Sequence, residues 1–492
     1  MKNIKIILFA LTMALFTSCN TDIVQPGELY PDTTFETVAD LQQGLVGVYG
    51  AIPGENEIQF NSIFTDEVRI GFANGGQGLI SGEYTFILNV NSTDAYSIWA
   101  TNYTLINFAN RLIAAGGNMV VPPSQKEEFD DIMAQAHILR AYGHFKLLTY
   151  FSTDLTDDNA LGCILVDFVP TIYQQLPRNK NGEVFTFINK DLEYVDKLTS
   201  NVKVVGENKE TIDRNYISPD MVTAMRARMA AYRGKYTEAL TYAQTLITKY
   251  PLTIRVQYDR IWEDIPIPSK DEVIFKLARV NGDAKVGATW ASVDATIEGS
   301  PFYEMSTDLI NLLYNPNFAY DKQPDVRAKS FIGETSIFSE DNVVIDKYSG
   351  SQGFDLLNAI KVFRSSEMYF IKAEAQASVN DFAGVAATLQ AVSKERFLFN
   401  QAPIIPVPLN SQAAWAEILK QRRIELCYEG HRWVDLKRLG VKAGVSINRN
   451  EADCAVYNAC FLDNTDYRFT MPIPFAETAA NVPITAQQNP GY

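Results

Sequence analysis

The sequence predicts a mainly α-helical protein with irregular, loop-rich insertions. Apolar residues recur at the three- and four-residue spacing of amphipathic helices through most of the chain. Two long stretches, about 52–92 and 252–365, are instead rich in Gly, Pro, Asn and Asp, with short extended pieces between them. A chain of 492 residues with 47% hydrophobic residues can bury an extensive core. Together these observations favour a large helical domain with inserted loops.

The charge balance excludes an electrostatic nucleic-acid binder. The chain carries 43 Lys and Arg residues against 58 Asp and Glu residues, so its formal net charge is -15. A surface with this average charge repels phosphate groups. We therefore expect no nucleic-acid partner.

The N-terminus has the pattern of an export signal. Lys2 and Lys5 precede an apolar run over 6–16 that is too short to span a bilayer, which indicates a signal peptide over residues 1–18. Small residues then lead into Cys19, and this ending resembles the lipobox of bacterial lipoproteins, in which the cysteine becomes lipid-attached. A secretory signal with a chance cysteine is the alternative. Residues 19–33 have no helical period and are expected to form a flexible tether.

Helical segments follow one another along the rest of the chain. Thr37 and Asp40 have the spacing of a capping box at the start of the first helix. A short strand is predicted at 83–88. The further predicted helices are near 94–115, 125–151, 183–199, 219–233, 236–249, 306–314, 365–379, 382–396, 411–429 and 431–438.

Two of these helix pairs resemble tetratricopeptide units, in which small residues let two helices approach closely. The first pair has Gly234 in its turn and Ala239 at the helix crossing. The second pair has Ala373 and Ala377 at the crossing but lacks the glycine. The pattern is degenerate, and spacing alone does not establish the repeat.

The remaining cysteines and the histidines do not indicate a metal or a cofactor. Cys454 and Cys460 could form a disulfide in an exported protein. Cys163 and Cys427 lie in apolar surroundings and are expected to be buried thiols. The three histidines are dispersed, and we interpret the pair on the third predicted helix as ordinary helix residues. No paired Cys/His spacing, nucleotide loop or hydrolase motif occurs.

Several motifs in the same order resemble the SusD/RagB family of outer-membrane nutrient-binding lipoproteins. The most specific is QRRIELCYEGHRWVDLKRLG at 421–440, followed by the ending QQNPGY at 487–492. LRAYGHFKLLTYF at 139–151 and KVFRSSEMYFIKAEA at 361–375 also match. With the lipobox, the resemblance covers nearly everything from residue 19 to the end of the sequence.

This resemblance implies a fold, a function and a partner. The fold would be a single SusD-like domain over 34–492, a tetratricopeptide-like helix-pair scaffold with an inserted irregular subdomain. The protein would be lipid-anchored in the outer membrane, facing the exterior. It would bind an oligosaccharide, or alternatively a peptide, and deliver it as a lid to a SusC-like TonB-dependent transporter. Such proteins are not enzymes.

The charged residues of the 421–440 motif are predicted to be structural. Arg422 and Glu429 fall on or beside the apolar stripe of the predicted helix, and a charge in that position must be paired. We interpret the motif as a charged clasp that joins two helices. Its members are Arg422, Glu425, Glu429, Arg432 and Asp435.

Ligand-binding candidates come from the irregular segments, where aromatic rings and polar groups suit sugar recognition. Trp290 is the first choice, because small neighbours are expected to leave its ring accessible. Asp66 and Arg69 could equally form a local ion pair. The full candidate set is Trp290, Tyr303, Phe302, Asp66, Arg69, Phe72, Asn74 and Tyr84.

Two other classes of protein compete with the binding lipoprotein. A glycoside hydrolase would use two carboxylates such as Asp66 and Glu67, but adjacent residues on a strand point to opposite faces, which fits neither known geometry. A plain tetratricopeptide scaffold would bind its partner in a groove between helices. For that scaffold, changing Trp290 would leave binding unaffected.

Overall fold

The computed structural model describes residues 34–171, 173–199, 202–204, 210–268, 271–292, 300–338 and 342–492. Cys19, the predicted signal peptide and the predicted tether lie outside the described residues. The α-helices within these ranges are α1 (Val38–Gly50), α2 (Glu55–Ile63), α3 (Thr93–Gly117), α4 (Lys126–Phe151), α5 (Asn181–Leu192), α6 (Pro219–Tyr232), α7 (Tyr236–Lys249), α8 (Asp259–Trp262), α9 (Thr307–Leu313), α10 (Val326–Phe331), α11 (Ser365–Ser378), α12 (Phe382–Lys394), α13 (Ser411–Leu426), α14 (Arg432–Ala443), α15 (Glu451–Cys454), α16 (Phe475–Ala480) and α17 (Val482–Thr485).

The strands are short and pair as two-stranded antiparallel sheets, β1 with β5, β2 with β3, β4 with β8, β6 with β7 and β9 with β10. Their bounds are β1 (Val68–Ile70), β2 (Val202–Val204), β3 (Glu210–Ile212), β4 (Val273–Leu277), β5 (Tyr303–Met305), β6 (Gly350–Ser351), β7 (Phe354–Asp355), β8 (Ile360–Arg364), β9 (Ile447–Asn448) and β10 (Phe461–Leu462). The predicted mainly helical fold class is confirmed. None of the helices in the described ranges is long and apolar enough to cross a membrane.

The helices pack as neighbouring pairs whose contacts depend on small residues. Gly143 of α4 faces α3 so closely that a Cβ there would lie 2.9 Å from Ile106. The turn between α6 and α7 places Gly234 at a φ of +69°, a conformation that costs glycine little. In the turn between α11 and α12, Asn380 takes the left-handed conformation at a φ of +60°. An asparagine thus replaces the glycine that the second pair lacks.

The sequence predicts the start of the first helix correctly but not the end of α13. The predicted capping box is present, because Thr37 Oγ1 accepts the Asp40 N–H at 3.2 Å and Asp40 Oδ2 accepts the Thr37 N–H at 2.8 Å. Helix α13, however, ends at Leu426, three residues before its predicted end. Tyr428 at a φ of +63° and Gly430 at +80° then turn the chain into α14.

The predicted strand at 83–88 is wrong. Gly82 adopts a φ of +93° and Phe86 a φ of +61°, both left-handed. The Ile87 N–H donates to the Gly82 carbonyl at 2.8 Å, which closes a turn where an extended segment was expected. The alternating apolar residues of this stretch therefore belong to a tight loop with several buried side chains.

Helix α2 lies within a segment predicted to be irregular. This helix has no separate polar face, because several of its polar residues are buried along with its apolar residues. Asn61 is completely buried, and its Oδ1 accepts the Trp433 N–H at 3.0 Å while its Nδ2 donates to Tyr150 Oη at 3.0 Å. A helix with hydrogen-bonding groups inside the core has no amphipathic pattern for sequence analysis to detect.

The charged residues of the 421–440 motif are paired inside the protein. Arg422 Nε lies 2.7 Å from Asp435 Oδ2, which ties α13 to α14. Glu429, in the turn between these helices, accepts from Lys347 Nζ at 2.8 Å and from Arg364 Nη2 at 2.7 Å. Because both groups of each pair are almost completely buried, removing one partner would leave a costly unpaired charge.

Glu425 is the centre of a larger buried cluster that reaches beyond the motif. Its carboxylate lies 3.0 Å from Arg364 Nη1, 3.0 Å from Arg396 Nη2 and 3.4 Å from Arg327 Nη1. These arginines come from β8, from the turn after α12 and from α10. We call Glu425 and these three arginines the arginine cluster. It joins α13 to the segment predicted to be an irregular insertion.

The histidines and cysteines have ordinary structural roles. His144 is buried, with its Nδ1 2.9 Å from the Arg140 carbonyl and its Nε2 accepting the Val166 N–H at 3.2 Å. Burial lowers the pKa of His144 to about 4, so the ring is neutral. Cys454 and Cys460 form a disulfide, and Cys163 and Cys427 are buried free thiols. Across the described ranges, no cluster of three or more His, Cys, Asp or Glu residues could hold a metal ion.

Candidate ligand-binding surface

The two irregular segments that carry the ligand candidates meet through β1 and β5. Arg69 is the cross-strand partner of Glu304, and Ile70 is the partner of Tyr303. The pairing continues past the strands, where the Gly71 N–H donates to the Phe302 carbonyl at 3.0 Å. A Cβ on Gly71 would collide with the backbone of the opposite segment, so glycine is needed for this approach. Candidates more than 200 residues apart in sequence thus lie side by side.

Asp66 and Arg69 do not pair with each other, contrary to one alternative from the sequence. Asp66 receives Arg432 Nε and Nη2, each at 2.7 Å, in a bidentate ion pair. Burial would raise the pKa of Asp66, but Arg423 and Arg432 outweigh it and lower the pKa well below the usual range. Arg69 Nη2 donates to Glu304 Oε2 at 2.8 Å. Both side chains are buried and hold the β1 strand in place.

The carboxylates of the hydrolase alternative are also inside the protein. Asp66 is 2% exposed and Glu67 is 1% exposed. Burial and the neighbouring Asp66 raise the pKa of Glu67 to about 8, although the Tyr428 N–H donates to its Oε2 at 3.2 Å. Neither carboxylate is accessible to a substrate in this conformation, which argues against the glycoside hydrolase alternative.

The expected accessibility of the Trp290 ring is wrong. The side chain is 1% exposed, its Nε1–H donates to Ser62 Oγ at 3.1 Å, and its ring stacks on Tyr348 with centroids 5.9 Å apart. The small neighbour Gly287 packs against the backbone of Tyr348, where a Cβ would collide. Small residues beside Trp290 therefore allow close packing over the ring and do not expose it.

Three further candidates are buried. Tyr84 donates its hydroxyl to the Asp453 carbonyl at 2.8 Å, and Tyr303 is 2% exposed. Asn74 Nδ2 donates to the Phe302 carbonyl at 2.9 Å, and its Oδ1 accepts the Gly76 N–H at 3.0 Å. These residues shape the loops. Among the aromatic candidates, Phe72 is 56% exposed and Phe302 is half-buried.

A polar pocket of about 250 Å³ opens beside these loops, and we call it the loop pocket. Its hydrogen-bonding side chains include three amide or hydroxyl groups that the sequence analysis did not select, those of Gln59, Gln77 and Thr289. A Cβ on Gly78 would collide with the Tyr303 hydroxyl at the pocket wall. The complete lining is Gln59, Ile63, Gln77, Gly78, Ser81, Glu83, Ala288, Thr289 and Tyr303.

Two carboxyl groups lie close together at this side of the loop pocket, that of Glu83 in the lining and that of Asp94 behind it. Ser81 donates its hydroxyl to Glu83, which lines the pocket. Asp94, in the first turn of α3, is buried behind Glu83. Burial first, and then the charge and hydrogen bond of Glu83, raise the pKa of Asp94 well above its usual value. This environment favours the neutral form of Asp94 beside Glu83.

A larger groove of about 750 Å³ lies between α1 and α3 and does not include the ligand candidates. We call it the helical groove. Phe35, Phe108 and Leu112 contribute much of its apolar lining. This groove is where the scaffold alternative would bind a partner.

Comparison with known proteins supports the resemblance seen in the sequence. Residues 280–492 match the model of the SusD family, SusD_RagB. The whole chain aligns with all of SusD-like protein P2 from Formosa agariphila at 21% identity. The fold is similar to that of a SusD superfamily protein from Bacteroides thetaiotaomicron, with a TM-score of 0.74, 23% identity, and coverage of 92% of this chain and 100% of that chain.

A second solved structure is similar over the same extent. It is a SusD-like carbohydrate binding protein from Bacteroides vulgatus, with a TM-score of 0.69, 18% identity, and coverage of 92% of this chain and 98% of that chain. The family match in the C-terminal part and the common fold of the remainder agree with the motifs at 421–440 and 487–492. Residues 280–492 thus match the SusD family model, and the chain as a whole is similar to SusD-like proteins in sequence and in fold.

Proposed function

We propose that this protein binds an oligosaccharide at the surface formed by the loop pocket and the exposed aromatic residues nearby. The observation that carries the proposal is the lining of the loop pocket, where amide, hydroxyl and carboxylate groups converge on a space of about 250 Å³. Sugars present many hydroxyl groups for such partners and an apolar C–H face for an aromatic ring. Phe72, in the loop that leads to this pocket, offers such a ring.

Two further observations support a carbohydrate ligand that is bound without being chemically changed. A structural relative is described as a carbohydrate binding protein. The carboxylates nearest to β1 are buried in ion pairs or against the backbone, so they do not act on a bound ligand. The match of residues 280–492 to the SusD family model agrees with the sequence prediction that the chain is not an enzyme.

We further propose that the protein works at the cell exterior as part of an importer. A lipid on Cys19 would hold it in the outer membrane, because two or three acyl chains give durable attachment. From there it would pass its ligand, as a lid, to a SusC-like TonB-dependent transporter. The match to the SusD family model and the lipobox-like sequence support this role. If a Cys19→Ala protein remains in the membrane fraction, the lipid anchor is refuted.

The ligand class is tested by screening full-length protein, purified in detergent, against glycan and peptide arrays. Binding to glycans is expected. Binding to peptides alone would replace the carbohydrate with a peptide ligand, which is the alternative that the sequence leaves open. Release of free sugar from any bound glycan would overturn the non-catalytic assignment.

Matched variants then locate the binding surface. Phe72→Ala should weaken binding of an array hit by about two- to tenfold, the range for loss of one aromatic contact. Phe475→Ala is the control, because Phe475 is similarly exposed at 58% but lies on α16. Phe108→Ala tests the helical groove. Loss of binding in Phe108→Ala with no change in Phe72→Ala would move the site to the groove and refute the loop surface.

A further inference from the structure

A further pocket, beside the β4–β8 sheet, has an excess of positive charge. It measures about 110 Å³ and lies between α8, the loop that follows it, and the β4–β8 sheet. Among the described residues, its charged lining consists of the cations Arg214, Arg260, Lys276 and Lys361 and the acids Asp264 and Asp271. We call it the cationic pocket. A local excess of cations is unusual in a chain whose acids outnumber its bases by 58 to 43.

Both acids of the cationic pocket are already engaged. Asp264 Oδ1 lies 3.4 Å from Lys276 Nζ and 3.2 Å from Lys361 Nζ, so one oxygen serves two ammonium groups. The other oxygen, Oδ2, accepts the Ala359 N–H at 2.8 Å. Asp271 forms an ion pair with Arg214. Within the pocket lining, two carboxylates therefore face four cations, so positive charge is in excess there.

The sheet register brings two of these cations together. Lys276 of β4 and Lys361 of β8 are direct cross-strand partners. Like charges in this position destabilise a sheet unless something neutralises them. Lys361 is only 3% exposed, and its burial lowers its pKa to about 8, with Lys276 acting in the same direction against the pull of Asp264. Asp264 Oδ1 offsets part of this repulsion, and a bound anion would offset more of it.

Arg260 supplies the unpaired group. Its Nε is buried and has no hydrogen-bond partner among the residues that the structure describes. A buried donor without a partner is costly, and native proteins usually satisfy such groups with a ligand or water. The guanidinium group matches the geometry of carboxylate, sulfate and phosphate groups, which it can bind in bidentate fashion.

We propose that the cationic pocket binds a single oxyanion group, with Arg260 and Lys276 as its principal ligands. The pocket has room for several water-sized groups. Ile261, Ile265 and Pro266 supply part of the apolar lining. The group is either a free inorganic anion or the carboxylate or sulfate substituent of a larger molecule. The cationic pocket shares no lining residue with the loop pocket, and the inference does not rest on the proposed function.

Calorimetric titration of full-length protein in detergent tests the pocket at pH 7. Sodium sulfate, sodium phosphate and sodium glucuronate are the probes, with sodium chloride holding the ionic strength constant. Saturable binding of at least one oxyanion with one site is expected. Binding of sulfate or phosphate without glucuronate assigns the pocket to free inorganic anions. Binding of glucuronate assigns it to acidic substituents as well. Absence of saturable binding for all three probes refutes the site.

Variants distinguish binding in the cationic pocket from nonspecific attraction of anions to positive charge elsewhere on the protein. Arg260→Gln should weaken binding about tenfold or more, since a hydrogen bond to a charged group is lost. Lys276→Gln should weaken anion binding as well. It is an independent test in case Arg260→Gln does not fold. Arg111→Gln is the control, because Arg111 is exposed on α3 and carries the same charge. Equal affinity in Arg260→Gln, Lys276→Gln and Arg111→Gln would overturn the proposal.

Discussion

Replacement of Glu425 by Gln is expected to destabilise the protein strongly. Glu425 is completely buried and is the shared acceptor of the arginine cluster. Burial by itself would raise the pKa of Glu425, but Arg396, Arg364 and Arg327 outweigh it and lower the pKa well below the usual range. Because the folded-state pKa is depressed, the stabilisation is fully present above about pH 4.3 and is lost as the pH falls toward the folded-state pKa.

The size of the expected destabilisation depends on which ion pairs the arginines keep in the Glu425→Gln variant. Breaking a buried ion pair by removing one partner costs about 3–5 kcal/mol. Gln keeps the shape of Glu425 and one acceptor oxygen but removes the charge. Arg396 still has Glu272 at 2.8 Å, and Arg327 still has Asp325 at 2.7 Å. These remaining ion pairs offset part of the lost interaction energy. We therefore expect the free energy of unfolding to fall by about 3 kcal/mol, the lower end of that range.

Urea-induced unfolding, followed by tryptophan fluorescence and by circular dichroism, measures this loss. With an m-value of about 3 kcal/mol per molar urea, the midpoint should fall by about 1 M. Glu417→Gln is the matched control, because Glu417 lies on the same helix, is half-buried and accepts only a hydrogen bond from Gln421. A surface change of this kind usually stays within about 0.5 kcal/mol. If Glu425→Gln unfolds within that margin of the control, the arginine cluster does not stabilise the fold.

Two further substitutions test the loops. Burial raises the pKa of Glu67 to about 8, so its contribution to stability is fully present below about pH 4.3 and is lost as the pH rises through 8. Glu67→Gln mimics the protonated form and should make the urea midpoint less dependent on pH between 5 and 8.5; an unchanged pH dependence would contradict this. Gly78→Ala should reduce both the free energy of unfolding and the binding of an array hit, because the added Cβ collides with the Tyr303 hydroxyl. Gly75→Ala is the control, since Gly75 also has a positive φ but lies in open space. It should destabilise the protein less and leave the loop pocket intact. Equal effects of the two alanines in urea unfolding and in binding would show that backbone strain, and not the pocket wall, decides the outcome.

The helices could be predicted from sequence because their signals are local. The capping box at Thr37 and the turn at Gly234 are each decided within four residues, and the structure confirms both. Helix α2 was missed for the opposite reason. Its buried Asn61 and Glu57 satisfy partners on distant elements, including the Trp433 N–H and Lys146, so its hydrophobic pattern carries no helical period.

The proposed ligand surface was only partly predictable. Glycine-rich composition indicated the segments that line the proposed surface, but it did not indicate which side chains point outward. Trp290 has the sequence surroundings of an exposed ring, yet those small residues make room for the backbone that covers it. Gln59 and Thr289 face one pocket because β1 pairs with β5, a contact between residues more than 200 positions apart. No local pattern specifies that pairing.

The buried charges and the loop surface depend on each other. Asp66 and Arg69 sit at the start of the loop that carries Phe72, and their ion pairs to Arg432 and Glu304 fix its direction. A loop with little regular secondary structure would otherwise lose conformational freedom when it binds, and that loss would reduce affinity. Asp66 and Arg69 thus support the proposed binding surface although both side chains are buried. Substitution of Asp66 should therefore lower stability and affinity together, whereas Phe72→Ala should lower affinity alone.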